Sequence, residues 1–136
     1  MLKLVQINEI NDYWQDIRTC LYDLLSKVPD LWKPEDVYMD LMGNRSGLYI
    51  AEDDEGLMGF AVLTPFHQYG NLILHVWIAY NKRDHNDYLY AVDDVKEIAN
   101  RMNAKYITYS SVRKGSLRVC KEIGFKPTHQ NYIYEV

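Results

Sequence analysis

Apolar residues recur along this chain with two different periods, and the changes of period mark its elements. From Asn11, the positions Tyr13, Ile17, Cys20, Leu21, Leu24 and Val28 return every three or four residues, which puts them on one face of a helix. Asn11 suits the N-cap and Pro29 falls just beyond the end. KPEDVYMDLM predicts a second, shorter helix. Pro34 takes its first turn, Glu35 and Asp36 sit beside the positive helix end, and Gly43 stops it. Ahead of both helices, KLVQI reads as a short strand.

The period then shortens. GLYIAE and LMGFAVLT, joined by the acidic turn DDEG, predict a hairpin whose second strand ends at Pro65. NLILHVWIAY is the strongest strand in the chain. Leu72, Leu74, Val76, Ile78 and Tyr80 are expected on one face, with Ile73, His75, Trp77 and Ala79 on the other. Both faces are largely apolar, which predicts a central strand covered on each side. A polar connection over 81–87 leads into the helix DYLYAVDDVKEIANRM, with Tyr88, Val92, Val95, Ala99 and Met102 as its stripe. KYITYSSV is a further strand. GSLRVCKEI is a short helix with Ser116 as candidate cap and Gly124 as stop, and THQNYIYEV closes the chain as a last strand. The order β, α, α, β, β, β, α, β, α, β predicts an α/β (α+β) chain with a mixed sheet and helices on both faces.

The 136 residues fit one domain, and 48% apolar with 25% charged residues is the balance of a soluble globular protein. No apolar run approaches the ~20 residues that span a bilayer, and MLKLVQINEI lacks the apolar core of a secretion signal, so the cytoplasm is expected. Cys20 and Cys120 have neither metal-ligand spacing nor a C-x-x-C pattern, and reduced, partly buried thiols are expected. A net charge of −4 argues against general nucleic-acid binding. The charge is uneven, however. Between Arg113 and Lys126, Arg113, Lys114, Arg118, Lys121 and Lys126 oppose the single acid Glu122, so this part of the chain can attract anions or simply be a solvated face.

The connection IAYNKRDHNDYLYA, residues 78–91, has the placement of a phosphate cradle between a strand and a helix. Such cradles usually use glycine to bring backbone N–H groups to the ligand, and none stands between Ile78 and Ala91. Lys82 and Arg83 supply positive charge, and Arg83 has the fork to clamp a phosphate; equally, both can pair with Asp84 or Asp87 in a solvated loop.

The element order, with a central strand feeding a long helix and ITYSSVRKGSLRVCKEIGFKP near the end, resembles the GNAT acyltransferases. The resemblance is best at Lys121-Glu122-Ile123-Gly124-Phe125, where glycine permits a left-handed helix end and the phenylalanine then packs inward. It implies a mixed, mostly antiparallel sheet of 6–7 strands, as a family expectation, and acetyl-CoA bound in the split between the fourth and fifth strands. Contacts to the acyl-CoA are then expected from Ile78, Tyr80, Lys82, Arg83 and Asn86, and from Ser111, Arg113 and Ser116 along the pantetheine arm. Two departures stand out. The family's Arg/Gln-x-x-Gly-x-Gly/Ala loop falls on residues where Asp84, Asn86, Asp87 and Tyr88 replace the glycines. Where many members carry a proton-donating tyrosine, this chain has Cys120, a thiol donor or a small filler.

His75 on the central strand and Glu52 at the end of the preceding sheet segment are candidate general bases. The alternatives are a packed, hydrogen-bonded histidine and a solvated acid. Tyr80, Tyr88 and Tyr90 flank the loop and can stack on a base or simply pack. Two functional readings follow from the resemblance. One is an N-acyltransferase moving an acetyl group from acetyl-CoA to an amine. The other is an inactive GNAT-fold pseudoenzyme that binds a protein partner, similar to small phage-encoded proteins with an eroded loop. Tyrosine-rich surfaces or an apolar sheet edge can support a homodimer.

Overall fold

A single five-stranded sheet orders the molecule, and its strands lie side by side in the sequence β1-β2-β3-β4-β5. The computed structural model describes residues 1–82, 88–110 and 116–136, and for 88–90 and 116–117 the backbone alone. The strands are β1 (Lys3–Leu4), β2 (Gly47–Asp53), β3 (Gly56–Gln68), β4 (Asn71–Asn81) and β5 (Tyr106–Tyr109). All neighbouring pairs are antiparallel except β4 and β5, which run parallel. The parallel pair is reached through α3 (Tyr88–Arg101), as a parallel crossover requires. α1 (Ile10–Lys27) and α2 (Pro34–Met42) precede the hairpin, and α4 (Ser116–Glu122) follows β5.

Two apolar layers follow from the alternation along the strands. Phe60 and Val62 of β3 and Leu48 and Ile50 of β2 meet Ile10, Ile17 and Leu21 of α1 and Val37 and Leu41 of α2. Ala61 and Leu63 of β3 point the other way, where Leu74 and Val76 of β4 pack on Val95, Ile98 and Ala99 of α3. Each fully buried aliphatic side chain contributes roughly 1.5–3 kcal/mol. The helices on both faces therefore stand as expected, and β4 is central between β3 and β5. No helix among the described residues is long and apolar enough to cross a membrane.

Several boundaries differ from the sequence reading, each for a local reason. α1 begins at Ile10 out of a 3-10 turn over Ile7–Glu9, so Asn11 lies inside the helix. Its side chain accepts the Tyr38 hydroxyl at 2.8 Å, which ties α1 to α2. At α2, the Lys33 N–H is capped by Asp36 at 2.8 Å; Gly43 ends the helix as expected, and the left-handed residue after it is Asn44 (φ 57). Pro65 does not stop β3: it pairs with Leu74, and the strand runs on to Gln68. Beyond Leu63 this strand has no β2 partner, so a missing N–H on that edge costs no ladder bond. Ser116 is the first residue of α4 rather than its cap. The largest correction concerns the strand count. Residues 128–136 are not a strand, which leaves five strands among the described residues where six to seven were expected.

Candidate functional site

The strand β4 carries an extra residue where the register demands it. Val62 of β3 pairs with Ile78 of β4, but the next residue, Leu63, pairs with Val76, so Trp77 is left over as a β-bulge. A bulge inverts the side-chain alternation beyond it. Leu74 and Val76 face α3, yet Ile78 and Tyr80 join Trp77 on the α1–α2 side, and Ala79 takes the α3 side. The face assignment drawn from strict alternation therefore fails after Trp77. A one-residue step is enough to cause this, because the strand period is two.

The ladder with β5 stops at the same point. Its four pairs run from Ile73–Tyr106 to Val76–Tyr109, while β4 continues to Asn81 against β3. Among the described residues, the Trp77–Tyr80 stretch has β3 along one side and no paired strand along the other. Where the ladder ends, the backbone N–H and C=O groups on that side of β4 have no strand partner among the described residues. Trp77 stands where the β5 ladder ends, and Trp32 from the α1–α2 connection meets it edge-on at 6.1 Å. The Trp32 indole N–H is held by Asp30 at 3.2 Å.

Tyr80 anchors the far end of this stretch. Its hydroxyl donates to Asp23 on α1 at 2.7 Å, and its ring stacks on Phe60 at 5.6 Å. Burial, followed by the Asp23 hydrogen bond, pushes the Tyr80 hydroxyl far above its ordinary range. Hydrogen bonds from Tyr80 and Lys27 hold the Asp23 carboxyl below its own. The phenol is thus a fixed donor to α1 rather than a titrating group. One residue along, Gly59 pairs with Asn81, and a Cβ there would lie 2.6 Å from the Tyr80 carbonyl oxygen. Only glycine lets β3 and β4 close up at this level.

His75 lies one turn of the pleat before the split. Its Nδ1 is 2.8 Å from the Thr108 hydroxyl across the parallel ladder. Burial lowers its pKa below the ordinary value, so the imidazole is neutral at neutral pH. It has the features of both readings, a packed and hydrogen-bonded side chain whose second nitrogen is uncommitted to Thr108. Glu52 is far from it. Glu52 pairs with Leu57, and the Lys82 N–H bonds to the adjacent Met58 carbonyl, which sets Glu52 level with Lys82. Lys82 lies seven residues beyond His75, one of them the bulged Trp77, so the levels are about six strand steps apart, roughly 20 Å at ~3.3 Å per residue. Exposed on β2, Glu52 accepts the Tyr13 hydroxyl at 3.3 Å. The two candidate bases cannot serve one reacting atom.

Cys120 is half-buried on α4, and burial raises its thiol pKa, so it stays protonated. The turn that follows forms as the glycine–phenylalanine pair predicts. Gly124 adopts φ 96, and the Phe125 N–H reaches back to the Cys120 carbonyl at 2.8 Å. Cys20 is buried within α1, its thiol likewise raised by burial. Lys82 is exposed, with its backbone N–H on Met58. Arg83, Asn86, Ser111 and Arg113 lie outside the described residues, and so does the side chain of Ser116. Among the described residues, no group of three or more His, Cys, Asp or Glu side chains could hold a metal ion.

Trp77 as a bulge, Thr108 as the partner of His75 and Asp23 as the anchor of Tyr80 were not legible in the sequence. A glycine inside an otherwise apolar strand, Gly59 in LMGFAV, was the one available signal of close backbone approach.

No family model and no curated protein sequence matches the chain. Solved structures do match, over its whole length. A ribosomal-protein-alanine N-acetyltransferase from Brucella melitensis biovar Abortus 2308 superimposes with a TM-score of 0.72 at 13% identity, covering 100% of this chain and 99% of its own. An aminoglycoside N-acetyltransferase solved in complex with CoA gives 0.67 at 14% identity, with 100% and 98% covered. A transcriptional regulator from Bacillus halodurans C-125 gives 0.75 at 16% identity, with 100% and 99% covered. At such identities the likeness is one of fold. The chain has the fold of the GNAT acetyltransferases.

Proposed function

We propose that this protein is a GNAT-type N-acyltransferase that takes acetyl-CoA as acyl donor and an amine as acceptor. The observation that carries the reading is the coincidence of the Trp77 bulge with the end of the β5 ladder. Together they leave one strand edge, Trp77–Tyr80, lining a slot in which an extended acyl-pantetheine arm can lie against backbone groups. An amine attacking the thioester forms a C–N bond as the C–S bond breaks, and the acceptor nitrogen loses a proton. Catalysis of this kind is mostly positioning, with backbone N–H groups of β4 polarising the carbonyl.

Neutral His75, next to the split, is the described side chain best suited to take that proton, directly or through water. The protonated thiol of Cys120 is a candidate donor to the departing thiolate. Lys82 and Arg83 supply the positive charge nearest the pyrophosphate position, and Asn86, Ser111, Arg113 and Ser116 are the remaining proposed contacts. Glu52, at the other level of the sheet, is proposed for acceptor binding rather than for chemistry.

A second reading is favoured by one specific feature. The connection after β4 has no glycine and carries Asp84 and Asp87, so carboxylates compete with phosphate for the same place. Two like charges ~4 Å apart cost roughly 1–4 kcal/mol, depending on exposure. On this reading the fold serves as a binding module for a protein partner.

Incubation with acetyl-CoA and a panel of amines separates the two, with release of free CoA thiol as the readout. The panel includes an aminoglycoside and an alanine-terminated peptide, the acceptor classes named for two of the structural neighbours. Turnover is expected with at least one amine, falling by about 100-fold or more in His75→Ala. Arg83→Ala is expected to raise KM for acetyl-CoA. No turnover, together with recovery of a specific protein partner, would favour the module.

A further inference from the structure

A row of hydroxyl groups crosses the sheet at the level of His75. The register sets Thr64 of β3 opposite His75 on one side and Thr108 of β5 opposite it on the other. Residues directly opposite one another across a ladder share a face, so the three side chains stand in line. A threonine on each side gives the histidine two candidate partners, and the structure uses one. His75 Nδ1 lies 2.8 Å from the Thr108 hydroxyl. The Thr64 hydroxyl is paired instead with that of Ser46, just ahead of β2, at 2.7 Å. Ser46 is buried, and a buried hydroxyl stripped of its partner costs about 1–3 kcal/mol, which keeps Thr64 committed to it.

The ring is therefore oriented from the β5 side. Burial alone lowers the His75 pKa, with no described carboxylate contributing. Where a histidine is commonly set by a carboxylate or a backbone carbonyl, Thr108 takes that place here. A hydroxyl can accept from Nδ1–H or donate to a bare Nδ1. Once Nε2 takes up a proton, both ring nitrogens carry hydrogen, and Thr108 can then only accept from the ring. The Nδ1–H tautomer keeps one unchanged hydrogen bond before and after that uptake. The opposite tautomer already has its proton on Nε2 and has no lone pair to offer there.

We propose that Thr108 is a positioning residue whose hydroxyl oxygen accepts from His75 Nδ1–H and leaves the Nε2 lone pair free to take a proton. The use of that lone pair rests on His75 as the base of the acyl transfer proposed above; the tautomer does not. In that transfer the proton shed by the acceptor nitrogen passes to Nε2, while the C–N bond forms and the thiolate leaves. The Nδ1–H stays on Thr108 throughout.

Nitrogen NMR on the isotope-labelled intact protein at pH 7.5, where the ring is neutral, reads the tautomer directly. The His75 signals are identified by their loss in His75→Gln. A protonated Nδ1 beside a bare Nε2 is expected. Thr108→Val should replace it by a mixture of tautomers, Thr108→Ser should restore it, and Thr64→Val should leave it unchanged. In the acyl-transfer assay, Thr108→Val should lower kcat by at least about tenfold with KM for acetyl-CoA little moved, and Thr108→Ser should recover most of the loss. A proton on Nε2 in the parent protein, or a tautomer indifferent to Thr108→Val, would overturn the proposal. Full turnover in His75→Ala, with the tautomer still following Thr108, would remove His75 as the base while upholding the hold of Thr108 on the ring.

Discussion

Along β4, the residues before and after Trp77 live in different surroundings. Ile73–Val76 are held between β3 and β5, with Leu74 fully buried against α3 and His75 bonded across the ladder to Thr108. Trp77–Tyr80 keep β3 but, among the described residues, have no paired β5, and the side chains of Ile78, Ala79 and Tyr80 have changed faces. One ten-residue apolar run thus does two jobs. The first half fixes the sheet, and the second is the stretch proposed to offer backbone to an acyl donor. The bulge joins the two, because it re-aims the strand at the residue where the parallel partner leaves.

Substitutions in the two halves should therefore fail differently. The largest effect is expected from Leu74→Ala in the clamped half. Removing a fully buried leucine should cost about 2–5 kcal/mol in denaturant unfolding. Next comes Gly59→Ala, which sets a methyl against the Tyr80 carbonyl in the second half. An overpacking loss of about 1–3 kcal/mol is expected, with a weakened acetyl-CoA interaction as the mark that the slot has moved.

The third test uses pH. Burial lowers the His75 pKa in the folded protein below its ordinary 6.5, so the unfolded chain binds the proton more readily. The stability tied to neutral His75 is present above that value and is lost as the pH falls from there toward the folded pKa. Denaturant midpoints should drop between pH 7.5 and 5.5, and His75→Gln should flatten that part of the slope. An unchanged slope in the variant would show that His75 titrates alike in both states.

The smallest effect is expected from Tyr80→Phe, which removes the bond to a solvent-accessible Asp23 but keeps the ring on Phe60. Unfolding should shift only slightly. The Asp23 carboxyl, losing its first hydrogen-bond donor, should titrate closer to its ordinary value by NMR.

Much of the fold was legible because period and punctuation agree. The stripe Ile17, Cys20, Leu21 in α1, the DDEG turn and the Gly124-Phe125 helix end each form as their residues predict. Strict alternation misread β4, because nothing in NLILHVWIAY announces an extra residue. The bulge appears only in the register of β4 against β3. Pro65 misled for a similar reason, since its tolerance depends on where β2 ends. The closing segment has every local mark of a strand, but a strand also needs a neighbour. Candidate bases were found by residue type, and only the register shows that His75 and Glu52 stand at opposite levels of the sheet.

The difference between the two halves of β4 is tested most directly by an NMR titration of the backbone amides with acetyl-CoA. The account predicts saturable shifts centred on Trp77, Ile78, Ala79 and Tyr80, with an affinity tighter than about 1 mM, the weak end of ordinary enzyme–substrate interactions. Leu74 and His75 should move little. No shifts up to that concentration, or shifts centred away from the second half of β4, would contradict it.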